Sequence, residues 1–95
     1  MSVKLLDMWA IWCQPCRIMN PIIDEIEKEL AGKVEVIRIN VDEKPEEAQK
    51  YGVMSIPTYI ILKDDEKSPS GYKEVGRKIG VTAKADLLKL LTNIP

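Results

Sequence analysis

Apolar and polar positions follow two different periods along this chain. Residues 3–10, "VKLLDMWA", form a short apolar run broken by Asp7, with Lys4 near its start, and suit a buried strand. From Pro15 onward the apolar positions are Ile18, Met19, Ile22, Ile23, Ile26 and Leu30, which is helical spacing with one buried stripe. Pro15 fits the first turn, where no amide donor is missed. Pro21 lies inside the helix and predicts a kink, and "AGK" at 31–33 gives a glycine stop. Residues 34–42, "VEVIRINVD", alternate as a strand does: Val34 and Val36 share a face, Arg38 is a candidate third member, and Ile37, Ile39 and Val41 lie nearby. A short helix starts near Pro45, with Glu46 and Glu47 in its favourable first turn, and ends at Gly52. "IPTYIILK" at 56–63 is a third strand, rich in β-branched residues. The polar cluster at 64–71 is a loop, and "YKEV" at 72–75 returns as a fourth strand. Residues 81–94 form a last amphipathic helix, with Thr82 as candidate N-cap and Leu87, Leu88, Leu90 and Leu91 facing inward.

The order β-α-β-α-β-β-α defines an α/β fold: a four-stranded mixed sheet with helices on both faces. Strands separated by helices predict parallel pairing, and the closing hairpin predicts an antiparallel pair. At 95 residues the chain is expected to be one domain, 1–95, without internal repeats.

Composition narrows the function. Hydrophobic residues make up 45% and charged residues 31%, a globular balance, and the formal net charge is −1. No basic stripe of the kind that nucleic acid requires is present. No run approaches a membrane span, and the first ten residues lack the long apolar core of a signal peptide, so the expectation is a cytoplasmic protein with no membrane association. There is no histidine, which removes an imidazole base and a common metal ligand, and no phenylalanine, so Ile, Leu, Val and Met must fill the core. Abundant Ile, Lys and Glu with little Asn and Gln lean towards a heat-adapted source.

The chemistry concentrates in "MWAIWCQPCR", residues 8–17, where the only two cysteines stand three apart. A closed zinc site needs four Cys or His ligands, and this chain offers two. A disulfide across so short a loop restricts the unfolded chain little. Two inert buried thiols are a third reading. Against it stands the placement between a strand end and a helix start, where backbone N–H groups and the helix dipole favour a thiolate. A C-x-x-C beside a βαβ pattern is a redox signal.

The residues "LDMWAIWCQPCR…NPIIDEI", then "INVDE…YGVMSIPTYI", then "EVG" resemble the thioredoxin family from residue 3 almost to the C-terminus. The specific parts are the W-C-x-P-C core, the Asp six residues before the first Cys, Pro21, and Ile56-Pro57-Thr58. The chain departs from the family at Gln14 between the cysteines, at Met8 after the Asp, and at Arg38 where a Lys is common. The family's usual first strand and helix are expected to be absent, which would leave residues 34–41 as a sheet edge.

The resemblance implies a protein-disulfide reductase with no cofactor and no metal. Cys13, ahead of the helix, is the candidate nucleophile with an exposed sulfur. Cys16, one turn along and more buried, is the candidate resolving thiol. Asp7 is either an exposed strand-end carboxylate or a buried acid/base for Cys16 with a raised pKa, and the resemblance favours the second. Pro57 looks like the family's cis-proline beside the active site; a trans proline at a strand start is the other reading. Ile56 would offer its backbone to an extended substrate. Trp12, Ile11, Ile56 and Gly76 are expected to form the docking surface, and Trp9 to pack under the cysteines. The expected partners are disulfide-containing proteins and a thioredoxin reductase or an equivalent reductant. The chain itself is expected as a monomer with weak self-association through the exposed edge. A glutathione-dependent, glutaredoxin-like enzyme and a non-catalytic binding module with this fold are the rival readings.

Overall fold

The computed structural model describes residues 2–94. Its elements are β1 (Val3–Trp9), α1 (Gln14–Glu29), β2 (Val34–Asn40), α2 (Pro45–Lys50), β3 (Thr58–Asp64), β4 (Tyr72–Ile79) and α3 (Lys84–Thr92). This is the predicted order. The four strands form one mixed sheet, in the spatial order β2-β1-β3-β4.

β1 and β2 are parallel, with Asp7 opposite Arg38. β3 departs from the parallel expectation and runs antiparallel to β1, with Asp7 opposite Tyr59 and Met8 opposite Thr58. The reason is length. The six residues of α2 cover only about 9 Å of helix axis, whereas a seven-residue strand spans about 23 Å. The short helix does not carry the chain back along the sheet before β3 begins. It stays at the end where β1 and β2 finish and starts β3 there. That end is where β1 hands over to the cysteines, so Ile56, just ahead of β3, packs against them.

Each face of the sheet buries its own apolar set. Leu5, Tyr59 and Ile61 meet Met19, Ile23 and Ile26 of α1 and Leu87 and Leu91 of α3. Leu6, Met8, Ile39, Ile60 and Leu62 form the opposite core, flanked by Tyr51 and Val53 after α2. Val34 and Val36 pack towards α1, and Ile37 and Ile39 towards α2, as alternation requires. α1 runs unbroken through Pro21. Ile18 departs from the expected stripe and is 55% exposed, because it falls outside the arc set by Met19, Ile23 and Ile26.

Several boundaries differ from the sequence reading. β3 begins at Thr58, because Ile56 and Pro57 belong to the preceding loop. β4 continues to Ile79, through a bulge at Val75 where Ile61 pairs with Gly76 and Leu62 with Glu74. α3 begins at Lys84 with Ala83 as N-cap. Thr82 is used in the turn before it: its hydroxyl donates to the Gly80 carbonyl at 3.0 Å and its N–H to the Met19 sulfur at 3.5 Å.

Candidate functional site

Cys13 is the N-cap of α1, and Cys16 lies in the helix's first turn. The C-x-x-C spacing spans one turn, so the Cα atoms stand 5.3 Å apart and the two sulfurs are joined as a disulfide. Cys13 Sγ accepts the Cys16 backbone N–H at 3.3 Å. No acidic residue occupies the first turn of α1. In the reduced state the same N–H and the positive end of the helix would stabilise a Cys13 thiolate. The expected contrast in exposure is absent: Cys13 is 3% exposed and Cys16 2%. Ala10 is buried with them, and Trp9, Val41 and Ile56 pack against the cluster. This cover, which comes from three other segments, closes over Cys13 as well as Cys16.

Asp7 is buried, so the exposed-carboxylate reading fails. It lies on the face shared by Leu5 and Tyr59, the face that α1 and α3 cover. Removal from water is the dominant influence on its carboxyl and raises the pKa to about 6; the Arg38 guanidinium opposes this and holds it lower than burial alone would. Arg38 is bound at the same time by two carboxylates of α1, Asp24 Oδ1 at 2.6 Å and Glu27 Oε1 at 3.2 Å. Its face is thus settled: with Val34 and Val36, towards α1. On the other side of Asp7, burial and the nearby carboxylate hold the Tyr59 phenol above its usual range.

The loop that carries the cysteines is tied on both flanks. Trp12 Nε1 donates to Asp42 Oδ2 at 2.8 Å, and Arg17 Nε donates to the Ile11 carbonyl at 3.1 Å. Trp12 and Ile11 nevertheless remain 68% and 62% exposed, large apolar surfaces beside a redox pair. The Ile56–Pro57 peptide bond is cis. Ile56 packs on the cysteine cluster and also lines a shallow groove of about 430 Å³ with Trp12, Val41, Val53 and Met54.

Gly76 does not join this surface. It pairs with Ile61 in the middle of β4, with Leu90 of α3 next to it, three positions along β3 from Thr58. The glycine at the site is Gly80. Its N–H donates to the Pro57 carbonyl at 2.8 Å, and its φ of +86° is open to glycine at little cost. Ile79 and Val81 on either side are exposed. The signal was present in "KIGV", a glycine between two apolar residues at a strand end. It was masked because the strand was expected to stop at Val75. Asp42 and Met54 were also missed, since neither belongs to a periodic pattern.

A disulfide at a helix N-terminus, flanked by exposed apolar side chains, is equipped for thiol–disulfide exchange. Comparison with known proteins agrees. The thioredoxin family model matches residues 2–92. A thioredoxin of Rickettsia bellii is 43% identical over 89 residues, covering 94% of this chain and 78% of the relative. A thioredoxin of Rickettsia conorii is 46% identical over 84 residues, covering 88% of this chain and 73% of the relative. Among solved structures, oxidised mitochondrial thioredoxin 3 from Saccharomyces cerevisiae superposes with a TM-score of 0.83 at 27% identity, covering 98% of this chain and 79% of the other.

Proposed function

Because this chain belongs to the thioredoxin family, we propose a division of labour for the thiol–disulfide exchange that its two cysteines perform. The protein is a thiol–disulfide oxidoreductase acting as a protein-disulfide reductase, and its partnering is of the general thioredoxin type, with oxidised proteins on one side and a reductase on the other. The observation that carries this is the Cys13–Cys16 disulfide at the start of α1.

Cys13 attacks as thiolate. A bond forms between its sulfur and one sulfur of the substrate disulfide, and the other substrate sulfur leaves as thiolate. Cys16 then attacks the Cys13 sulfur, closes the intramolecular disulfide and releases the second substrate thiol. Two electrons pass from the protein dithiol to the substrate. Asp7, with a pKa of about 6, takes the Cys16 proton in the second step. Trp12, Ile11 and the segment Ile56-Pro57 receive the substrate, joined by Gly80 rather than Gly76. The electron source is a thioredoxin reductase, and the protein works in the cytoplasm, where thiols are kept reduced. β2 is a sheet edge among the described residues, and weak self-association through it at high concentration belongs to the same proposal. Sedimentation showing a monomer into the millimolar range removes that last part.

The test is reduction of insulin disulfides, driven either by a thioredoxin reductase or by glutathione. Turnover with the reductase is the expected result. Turnover with glutathione alone would make the protein glutaredoxin-like, and turnover with neither would leave a binding module. Localisation is read by fractionating cells that express the tagged full-length protein; recovery outside the cytoplasm overturns that assignment.

A further inference from the structure

Three methionines lie in the described chain, and their environments are opposite. Met8 and Met19 are 0% exposed, whereas Met54 is 95% exposed. An apolar side chain so fully in water is unusual, and its place is specific: Met54 lines the groove with Trp12, Val41, Val53 and Ile56, beside the cysteine cluster. A thioether there offers a flexible, polarisable contact to varied partners. It also offers an unshielded sulfur to oxidants, which Met8 and Met19 do not.

We propose that Met54 is a reversible oxidation site on the docking face, and that its conversion to the sulfoxide by a hydroperoxide weakens the docking of protein disulfides while leaving the cysteine chemistry intact. This rests on the protein-disulfide reductase reading. In the step itself, a sulfur lone pair of Met54 attacks the terminal peroxide oxygen. The O–O bond breaks and an S–O bond forms. The sulfur loses two electrons, and the hydroperoxide is reduced to an alcohol, or to water for hydrogen peroxide, with the proton passing through solvent. The product places a strong dipole in an apolar rim. A protein substrate must cover that rim. A small disulfide covers far less of that rim, which is why the two substrate classes separate the effect.

The experiment uses the full chain in its disulfide form, where no thiolate is present to compete for peroxide. It is treated with tert-butyl hydroperoxide, whose bulk keeps it from buried sulfur, and then desalted. Peptide mass spectrometry should find the sulfoxide at Met54 and not at Met8 or Met19. With insulin as substrate, KM should rise roughly fourfold, the scale of one lost apolar contact. Turnover of a small aromatic disulfide should be unchanged, and methionine sulfoxide reductase should restore the insulin KM. The Met54→Leu variant keeps an apolar side chain that peroxide cannot oxidise, so its insulin KM should be the same before and after treatment. Oxidation at Met8 or Met19 first, an unchanged insulin KM with Met54 oxidised, an equal loss on the small disulfide, a response in Met54→Leu, or failure of the sulfoxide reductase to restore KM each overturn the inference. An untreated protein inactive on both disulfides overturns the reductase reading, and this inference with it.

Discussion

At pH 7 the Asp7 carboxyl, with a pKa of about 6, is mostly ionised inside the fold. Its folded pKa lies above the unfolded value of about 3.9, so between the two the folded state binds more protons than the unfolded state. Stability therefore falls as pH rises through that window and is level above it. The shift corresponds to a cost of about 3 kcal/mol at neutral pH. Asp7→Asn should raise stability at pH 7 by up to that amount and flatten the decline between pH 4 and 7, as urea unfolding would record. It should also slow release of the mixed disulfide, because on the proposed mechanism Cys16 loses its proton acceptor. A variant that is less stable at pH 7 contradicts the first half, and one as fast as the parent contradicts the second. The cysteines make a second pair of outcomes. Cys16→Ser should accumulate covalent complexes with substrate and Cys13→Ser should not. Because both sulfurs are buried to the same degree, only this trapping, and not exposure, separates their roles; equal trapping on non-reducing gels would reverse the assignment.

Between elements, Arg38 ties β2 to α1 through Asp24 and Glu27 while facing Asp7 across β1. Half-exposed ion pairs contribute little to stability, so losing the Asp24 and Glu27 pairs in Arg38→Met should by itself cost less than about 1 kcal/mol, with a further loss at pH 7 for any rise in the Asp7 pKa. Its effect on Asp7 is larger, because the only opposing influence on that carboxyl is removed. The Asp7 pKa should move above about 6, and the pH at which Cys16 resolves the mixed disulfide should move up with it. An Asp7 titration by NMR that stays in place would show that α1 already neutralises the guanidinium. Gly76 tests the geometry of β4. A Cβ there would meet Leu90 Cδ2 at 3.6 Å and Ile61 Cδ1 at 3.7 Å, ordinary contact distances. Gly76→Ala should be neutral or stabilising by up to about 1 kcal/mol, with the insulin KM unchanged. A raised KM would return Gly76 to the docking surface.

For the whole molecule, the Cα radius of gyration of 12.7 Å is close to the roughly 12.4 Å expected for a compact chain of this length. The sheet that spans it is not protected evenly. β1 and β3 are paired on both sides, whereas β2 is paired only to β1 among the described residues. Val41 donates its N–H to the Trp9 carbonyl at 2.9 Å, so by the alternation of a parallel ladder Ile37 and Ile39 point their amides inward and Val36 and Arg38 point theirs out. Amide exchange at Val36 and Arg38 should be faster than at Ile37 and Ile39 by orders of magnitude, and slowest in β1 and β3. Protection of Val36 and Arg38 that grows with protein concentration would report pairing at this edge; uniform protection along β2 would mean that the edge is covered.

Features that depend on neighbours along the chain are legible in the sequence. Helical spacing from Ile18 to Leu30, alternation through "VEVIRIN" and the position of Cys13 ahead of a helix are local, so α1, β2 and the thiolate environment were legible. Asp7 stood out because a charge in an apolar run has no local reason to be there. The tertiary structure decided what depends on contacts between distant segments. The direction of β3 is set by its antiparallel pairing with β1, and with it the arrival of Ile56 at the cysteines. The face of Arg38, the outward turn of Ile18 and the exchange of Gly76 for Gly80 follow from which helix lies over which strand. The equal burial of Cys13 and Cys16 is set by Trp9, Val41 and Ile56, side chains up to 43 positions from Cys13 in the chain. No periodicity encodes such a meeting, because it exists only once the sheet has closed and its two faces are packed.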